Sequence, residues 1–304
     1  MSIGIKKMIK YASLFAMIII SLLFYYQLEQ NDQVAKVVFF DVGQGDAILI
    51  TTPAKKTILI DGGPDNAWLP QLGEQLPFYQ RKIDLMILTH AHADHVVGLV
   101  EVLKRYRVDL ILYPGSIDYD STPYLEWLKV IEENSLNLQT TKQGDYYDFN
   151  DHSFLLTLYP LIEYNGQKVD DVNNTSVINQ YCFLEICFLL TGDATAESEV
   201  EMIASGQDMH SEVLKVGHHG SHYSSTEEFL AAVAPQEAII QVGQDNSFNH
   251  PHPRTLKKLI RMNIKIRRTD QDGMIIFYTD GQNYWLEPTL SDSPLSAIMD
   301  LIKK

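Results

Sequence analysis

Residues 90 to 95 read His90-Ala-His92-Ala-Asp94-His95, four side chains able to bind a metal in six positions with only alanine between them. If His90 and His92 lie on an extended segment, their side chains point the same way and can share one ion. Asp94 and His95, at the start of a following helix, point elsewhere and can hold a second. So dense a run is neither solvated decoration nor core packing. Imidazole and carboxylate together suit zinc, with manganese as the alternative. Two such ions lower the pKa of a water toward ~7 and stabilise negative charge on a phosphoryl oxygen. Neither a serine nucleophile nor a Cys/His pair is then required.

Two other segments end in residues of the same kind: Leu190-Thr-Gly-Asp193 and Lys215-Val-Gly-His218-His219-Gly-Ser221. His222, beside Ser221, Ser224 and Ser225, can hydrogen-bond a phosphate. In Phe248-Asn-His250-Pro-His252-Pro253 two prolines fix the backbone before a helix, presenting His250 rigidly. His250 or the spare member of the 218/219 pair is the expected proton donor to a leaving group. Asp94 is counted with His250 as catalytic.

The elements that must carry these groups are short. Apolar runs at 37–40, 47–51, 57–60 and 83–88 end in Gly or Asp turns and read as strands, the last delivering the chain to the histidine run. A helical pattern covers Val96 to Tyr106, a strand Leu110 to Tyr113, a helix Tyr124 to Glu133 and a strand Phe154 to Leu158. The second half repeats the theme, with strands ending at Thr191, Val216 and Val242. Helices are expected near 197–204, 226–233 and 253–262, and a hairpin near 270–280. Strands alternating with helices make α/β layers with ligand groups at strand ends.

The run His90-x-His92-x-Asp94-His95 resembles the signature of the metallo-β-lactamase superfamily. The motifs Asp41-Val-Gly-Gln-Gly-Asp46, Asn173-Asn-Thr-Ser-Val177, Leu190-Thr-Gly-Asp193 and Lys215-Val-Gly-His-His-Gly-Ser221 resemble the branch related to the extracellular domain of ComEC, a DNA-uptake channel protein. The likeness runs from about residue 36 to 285. It implies a four-layer αββα sandwich with two metals at one edge. It assigns His90 and His92 to the first metal, Asp94 and His95 to the second, and Asp193 between them. The remaining ligand is His219, which the superfamily pattern favours, or His218. No third histidine of the usual kind precedes Asp193, so the likeness leaves the first site to water or to an Asn carbonyl in the Asn173-Asn174 segment. Asp61 and Asp46 are matched to carboxylates that buttress metal histidines, Asn174 is grouped with them, and His250 falls at the rim of the site.

Composition sets the frame. The 304 residues are 45% hydrophobic and 21% charged, enough for a sizeable core. A net charge of −15 argues against a broad basic surface for nucleic acid, though bound dications can hold a phosphate on an acidic protein. Tyr11 to Tyr26 carry no charge and follow Lys6, Lys7 and Lys10. They read as a membrane anchor, or a cleaved signal segment, with the rest of the chain outside the cell. The expected division is residues 1–33, anchor and linker, and 34–304, catalytic domain. Cys182 and Cys187, taken as lying on one buried strand Tyr181 to Leu190, are expected about 16 Å apart and unpaired. The expected activity is that of a phosphodiesterase or nuclease acting on single-stranded DNA outside the membrane. The rivals are hydrolysis of a small ester, lactone, lactam or cell-wall phosphodiester, and a non-catalytic DNA-binding module.

Overall fold

Alternation along the strands decides the layers. In β1 (Ala35–Phe39) Val37 and Phe39 face one core and Val38 faces another, and all three are buried. A strand buried on both faces must sit inside a stack. The computed structural model describes residues 7, 10–22 and 33–287. Chain contacts separate residues Met1–Val34 from Ala35–Lys304.

The first sheet has eight strands in the order β15-β14-β1-β2-β3-β4-β5-β6. They are β1, β2 (Ile48–Thr51), β3 (Thr57–Ile60), β4 (Lys82–Ile87), β5 (Arg107–Tyr113), β6 (Leu138–Thr140), β14 (Ile275–Thr279) and β15 (Tyr284–Leu286). The second has seven in the order β13-β12-β11-β10-β9-β8-β7. These are β7 (Tyr146–Asp148), β8 (Ser153–Tyr159), β9 (Ile178–Phe183), β10 (Ile186–Leu190), β11 (Val213–Lys215), β12 (Glu237–Ile240) and β13 (Lys265–Arg268). Between the sheets Phe39, Ile50, Ile60 and Ile87 meet Tyr181, Phe188, Leu190 and Ile239. The outer face of the first sheet is covered by α2 (Leu69–Gln75), α3 (Ala93–Arg105) and α4 (Thr122–Glu133), through Leu72, Leu99 and Trp127. The outer face of the second is covered by α5 (Ala196–Ser205), α6 (Glu227–Val233) and α7 (Pro253–Arg261), through Met202, Phe229 and Leu259. The result is the αββα sandwich.

Three expectations change. The run from Tyr181 to Leu190 is not one strand but a hairpin, β9 and β10, turning at Leu184 with φ 51°. Cys182 and Cys187 are therefore cross-strand partners with Cα atoms 4.1 Å apart, joined in a disulfide. The hairpin expected near 270–280 lies further on, as β14 and β15, after the one-turn helix α8 (Thr269–Asp272). Residues 10–22 are helical (α1) and exposed, but among the described residues no helix is long and apolar enough to cross a membrane. Residues 23–26 of the expected anchor, and 31–32 of its linker, lie outside the described residues.

Candidate metal centre

Three strand ends converge at one edge of the sandwich. After β4, the segment Leu88 to His92 leads into α3, with His92 extended at its N-cap position and Asp94 and His95 in its first turn. Asp94 there also complements the helix dipole. The turn is pinned against the loop after β3: the Gly62 amide donates to the His95 carbonyl at 2.7 Å. No side chain fits between the two segments, since a Cβ on Gly98 would lie 1.8 Å from the Gly62 oxygen. After β10, Gly192 (φ 51°) packs on Thr89, where a Cβ would come within 2.9 Å of the Thr89 Cβ. That contact sets Asp193 beside the histidine run. After β11, His218 and His219 both occupy the left-handed region, at φ 48° and 52°. For non-glycine residues this costs on the order of 1–3 kcal/mol each and persists only where the surroundings enforce it.

The imidazole and carboxylate donors lie close together. His90 Nε2 is 3.1 Å from His92 Nδ1 and 4.0 Å from Asp193 Oδ2. Asp193 Oδ2 is also 3.5 Å from His95 Nε2 and 3.3 Å from His219 Nε2. Asp94 Oδ2 stands 3.9 Å from His95 Nε2 and 3.4 Å from His219 Nε2. Donor atoms of Asp94, His95, Asp193 and His219 all fall within 4.8 Å of one another. The buried Nε2 atoms of His95 and His219 have no hydrogen-bond partner. Such orphaned nitrogens beside two carboxylates fit a divalent cation, and Asp193 Oδ2 lies within 4.0 Å of imidazole nitrogens of His90, His95 and His219 alike. His219 is turned inward; His218, whose side chain is 26% exposed, keeps its Nε2 3.9 Å from Asp193.

Each inward histidine is oriented from behind. Asp61 Oδ2 accepts from His95 Nδ1 at 2.8 Å and from the Thr89 hydroxyl at 2.7 Å. With its proton given to Asp61, Thr89 Oγ accepts from His90 Nδ1 at 3.1 Å. His219 Nδ1 donates to the Gln241 carbonyl at 2.9 Å. In every case Nε2 is the ring nitrogen left turned toward the carboxylates. Asp46 approaches His219 Nδ1 to 3.4 Å and His95 Nδ1 to 3.9 Å. It is also paired with Lys215, a fully buried lysine that donates to the Gly192 carbonyl at 2.7 Å and sits 3.7 Å from Asp193 Oδ1.

Charge follows from this packing. Burial opposes ionisation of Asp193, but His219 and His95 outweigh it and hold the carboxyl well below its usual range. Burial likewise opposes Asp94, and His95 and His219 bring it down. For Asp46 burial is outweighed by Lys215, then His219. Asp61 is the exception: burial wins over His95 and raises it. Burial works against charge on His95 and His219, yet Asp193 and its neighbours raise both well above the ordinary histidine range. Burial and repulsion from His95 push His90 well down.

The other expected residues are placed as follows. His250 sits with its ring 5.5 Å from that of His218, and burial, then His218, lowers its pKa to about 4. It is neutral at pH 7, suited to accept or orient a proton rather than to arrive as a charged donor. Ser221 is buried but lines a cleft with His218, His222 and His250. Ser224 is buried and donates to the Gly217 and Ser221 carbonyls, so it fastens the loop instead of facing a substrate. Asn174 is spent on the start of α5: its oxygen accepts from Thr195 and Ser198 and its amide donates to Glu197. Asn173, by contrast, buries an amide oxygen with no partner. His152 and His210 are exposed. Lys215 and Thr89 were not singled out by sequence reasoning. A lysine within a buried strand was the available signal for the first, since such a charge must be paired.

The family description "Metallo-beta-lactamase superfamily" matches residues 40–156. ComE operon protein 3 of Bacillus subtilis is 33% identical over 272 residues, which is 84% of this chain and 34% of that protein. The chain carries a metallo-β-lactamase domain. That domain is also similar to Competence protein ComA of Neisseria gonorrhoeae, 28% identical over 80% of this chain and 32% of that protein. Both relatives belong to the ComEC family. The chain spans about a third of the length of these relatives. Among solved structures, the diiron β-hydroxylase CmlA of Streptomyces venezuelae superposes with a TM-score of 0.51 at 16% identity, over 76% of this chain and 52% of CmlA, a likeness of fold. The domain and its donor set together support a metal-dependent hydrolase.

Proposed function

We propose that this chain is a two-metal phosphodiesterase that cuts single-stranded DNA on the outer side of a membrane. The observation that carries it is the meeting of Asp193 Oδ2 with imidazoles from both clusters, at 4.0 Å from His90 and 3.5 and 3.3 Å from His95 and His219. On this reading His90 and His92 hold one ion, Asp94, His95 and His219 the other, and Asp193 lies between. Divalent ions bound there supply an acidified water and stabilise charge on the phosphoryl oxygens. The chain's own residues do the rest. Asp61, Thr89 and the Gln241 carbonyl hold the imidazoles in the ligand tautomer, Lys215 offsets the buried carboxylates, and His218 and His250 line the approach.

The choice of a phosphodiester is supported by the ComEC-family relatives, one named a competence protein. The membrane location rests on the lysines ahead of the uncharged stretch that begins at Tyr11. The test uses the full-length chain with bis-p-nitrophenyl phosphate and with single-stranded DNA, each with and without zinc or manganese. Metal-dependent turnover of both that disappears in His92→Ala is the expected result. Turnover of a lactone or of nitrocefin alone, or DNA binding with no turnover, would replace this reading.

A further inference from the structure

Beside the donor cluster, and touching it through His218, lies a cleft of 560 Å³ walled by His218, His222, Tyr223, Phe248 and His250. His222 also walls a second cleft of 360 Å³, whose other sides are Arg254, Lys257, Lys258 and Arg261 of α7, with Glu227. The two clefts thus adjoin at His222, and neither the metal donors nor the packing of the sandwich accounts for the second.

Its charge is out of keeping with the chain. The protein carries a net −15, yet four cations stand here against one carboxylate. Glu227 is taken by Arg261, and Lys258 donates to the Ser224 and Ser225 carbonyls at 2.9 and 2.5 Å. Arg254 and Lys257 are exposed, and among the described residues neither has an ion-pair partner. Arg254, Lys257 and Arg261 follow an i, i+3, i+7 spacing along one helix face. They cover about 10 Å of its axis at 1.5 Å per residue.

The first cleft differs in kind. Tyr223 and Phe248 are 66% and 62% exposed, large rings left in water where folding gains nothing from them. The His222 ring lies 3.7 Å from Tyr223 and 4.6 Å from His252, making a short run of flat faces. Cations that track a phosphate backbone beside rings that take unpaired bases are the two parts of a single-strand binding path. A duplex has no unstacked base to offer the rings, and a small ester does not reach α7.

Resting on the phosphodiesterase reading, we infer that a single-stranded polynucleotide lies along both clefts. Its bases meet Tyr223, His222 and Phe248 near the metals, and its phosphates meet Arg254 and Lys257 beyond them.

The test is equilibrium binding of a labelled oligothymidylate of about 15 nucleotides, near the upper end of single-strand site sizes. It is measured by fluorescence anisotropy with the full-length chain in EDTA, so that binding is read without turnover. Arg254→Glu/Lys257→Glu should weaken binding at least tenfold and flatten the dependence of log affinity on log salt by about 1.4, two phosphates at about 0.7 each. Tyr223→Ala should cost about tenfold. Hydrolysis of bis-p-nitrophenyl phosphate by the loaded double variant should equal that of the wild type, which also reports its folding. Wild-type affinity and salt slope in the double variant, or no binding by the wild type, overturn the strand path. Loss of binding in the double variant, with no diester hydrolysis by either protein, upholds the path and removes the phosphodiesterase reading instead.

Discussion

The two halves of the donor cluster are built to different standards. The half made by Asp94, His95, Asp193 and His219 offers four protein donors within 4.8 Å, and both its imidazoles are buried and held from behind. The half made by His90 and His92 has one buried and oriented imidazole, one partly exposed one, and only a distant share of Asp193 at 4.0 Å. Closed tetrahedral sets hold an ion for keeps, whereas catalytic zinc sites keep an open position. On the two-metal reading, the four-donor half would retain its ion and the two-imidazole half would exchange its own.

The most severe way to break this contrast is to remove the shared group. Asp193→Ala should lower turnover of bis-p-nitrophenyl phosphate by roughly a thousandfold or more, about 4 kcal/mol of barrier. Metal analysis after gel filtration should find both ions depleted; retention of two would sink the bridging assignment. A smaller effect separates the halves. His219→Ala should release the retained ion and leave the protein below one equivalent of zinc, while His92→Ala should keep close to one. Equal loss in the two variants would erase the asymmetry.

The mildest test is pH. Metal binding needs a bare Nε2, and in the metal-free protein His95 and His219 are held protonated well above the ordinary range, while His90 is pushed well below it. An ion entering the closed half must displace protons. Its affinity should therefore rise with pH by up to about tenfold per unit for each proton released, until pH passes the raised pKa values. An ion bound through His90 gains little by comparison. Chelator competition across pH, with calorimetry in buffers of different ionisation enthalpy, should give a steep slope for the tighter ion and a shallow one for the weaker. Matching slopes would contradict the contrast.

Much of the centre was legible because its donors are adjacent in sequence or stand at ends of apolar strands. The spacing from His90 to His95, with helix α3 starting one residue after His92, made the divergence of the two donor pairs readable. The preference for His219 over His218 came from the resemblance alone and not from spacing, because the orientation of the pair depends on two consecutive left-handed residues that no spacing rule announces. Thr89 and the Gln241 carbonyl act through the tautomer of a neighbour, and neither residue type marks itself. The hairpin at Leu184 was hidden for a plain reason. Its turn, Leu184-Glu185, contains no Gly, Asn, Asp or Pro, so an apolar run interrupted only by Glu185 concealed a reversal that brings Cys182 against Cys187. Ser224 misled in the opposite sense, since a hydroxyl beside metal histidines is equally able to bond the backbone of its own loop.

One carboxylate, Asp61, grips both halves: directly through His95, and through the Thr89 hydroxyl to His90. On the two-metal reading the sites would not be thermodynamically independent: an ion ordering the His95 ring would order Asp61 and Thr89 with it, so His90 would meet a second ion with part of its ordering entropy already surrendered. Uptake would then be positively cooperative, and a loosened Asp61 would be felt in both halves together.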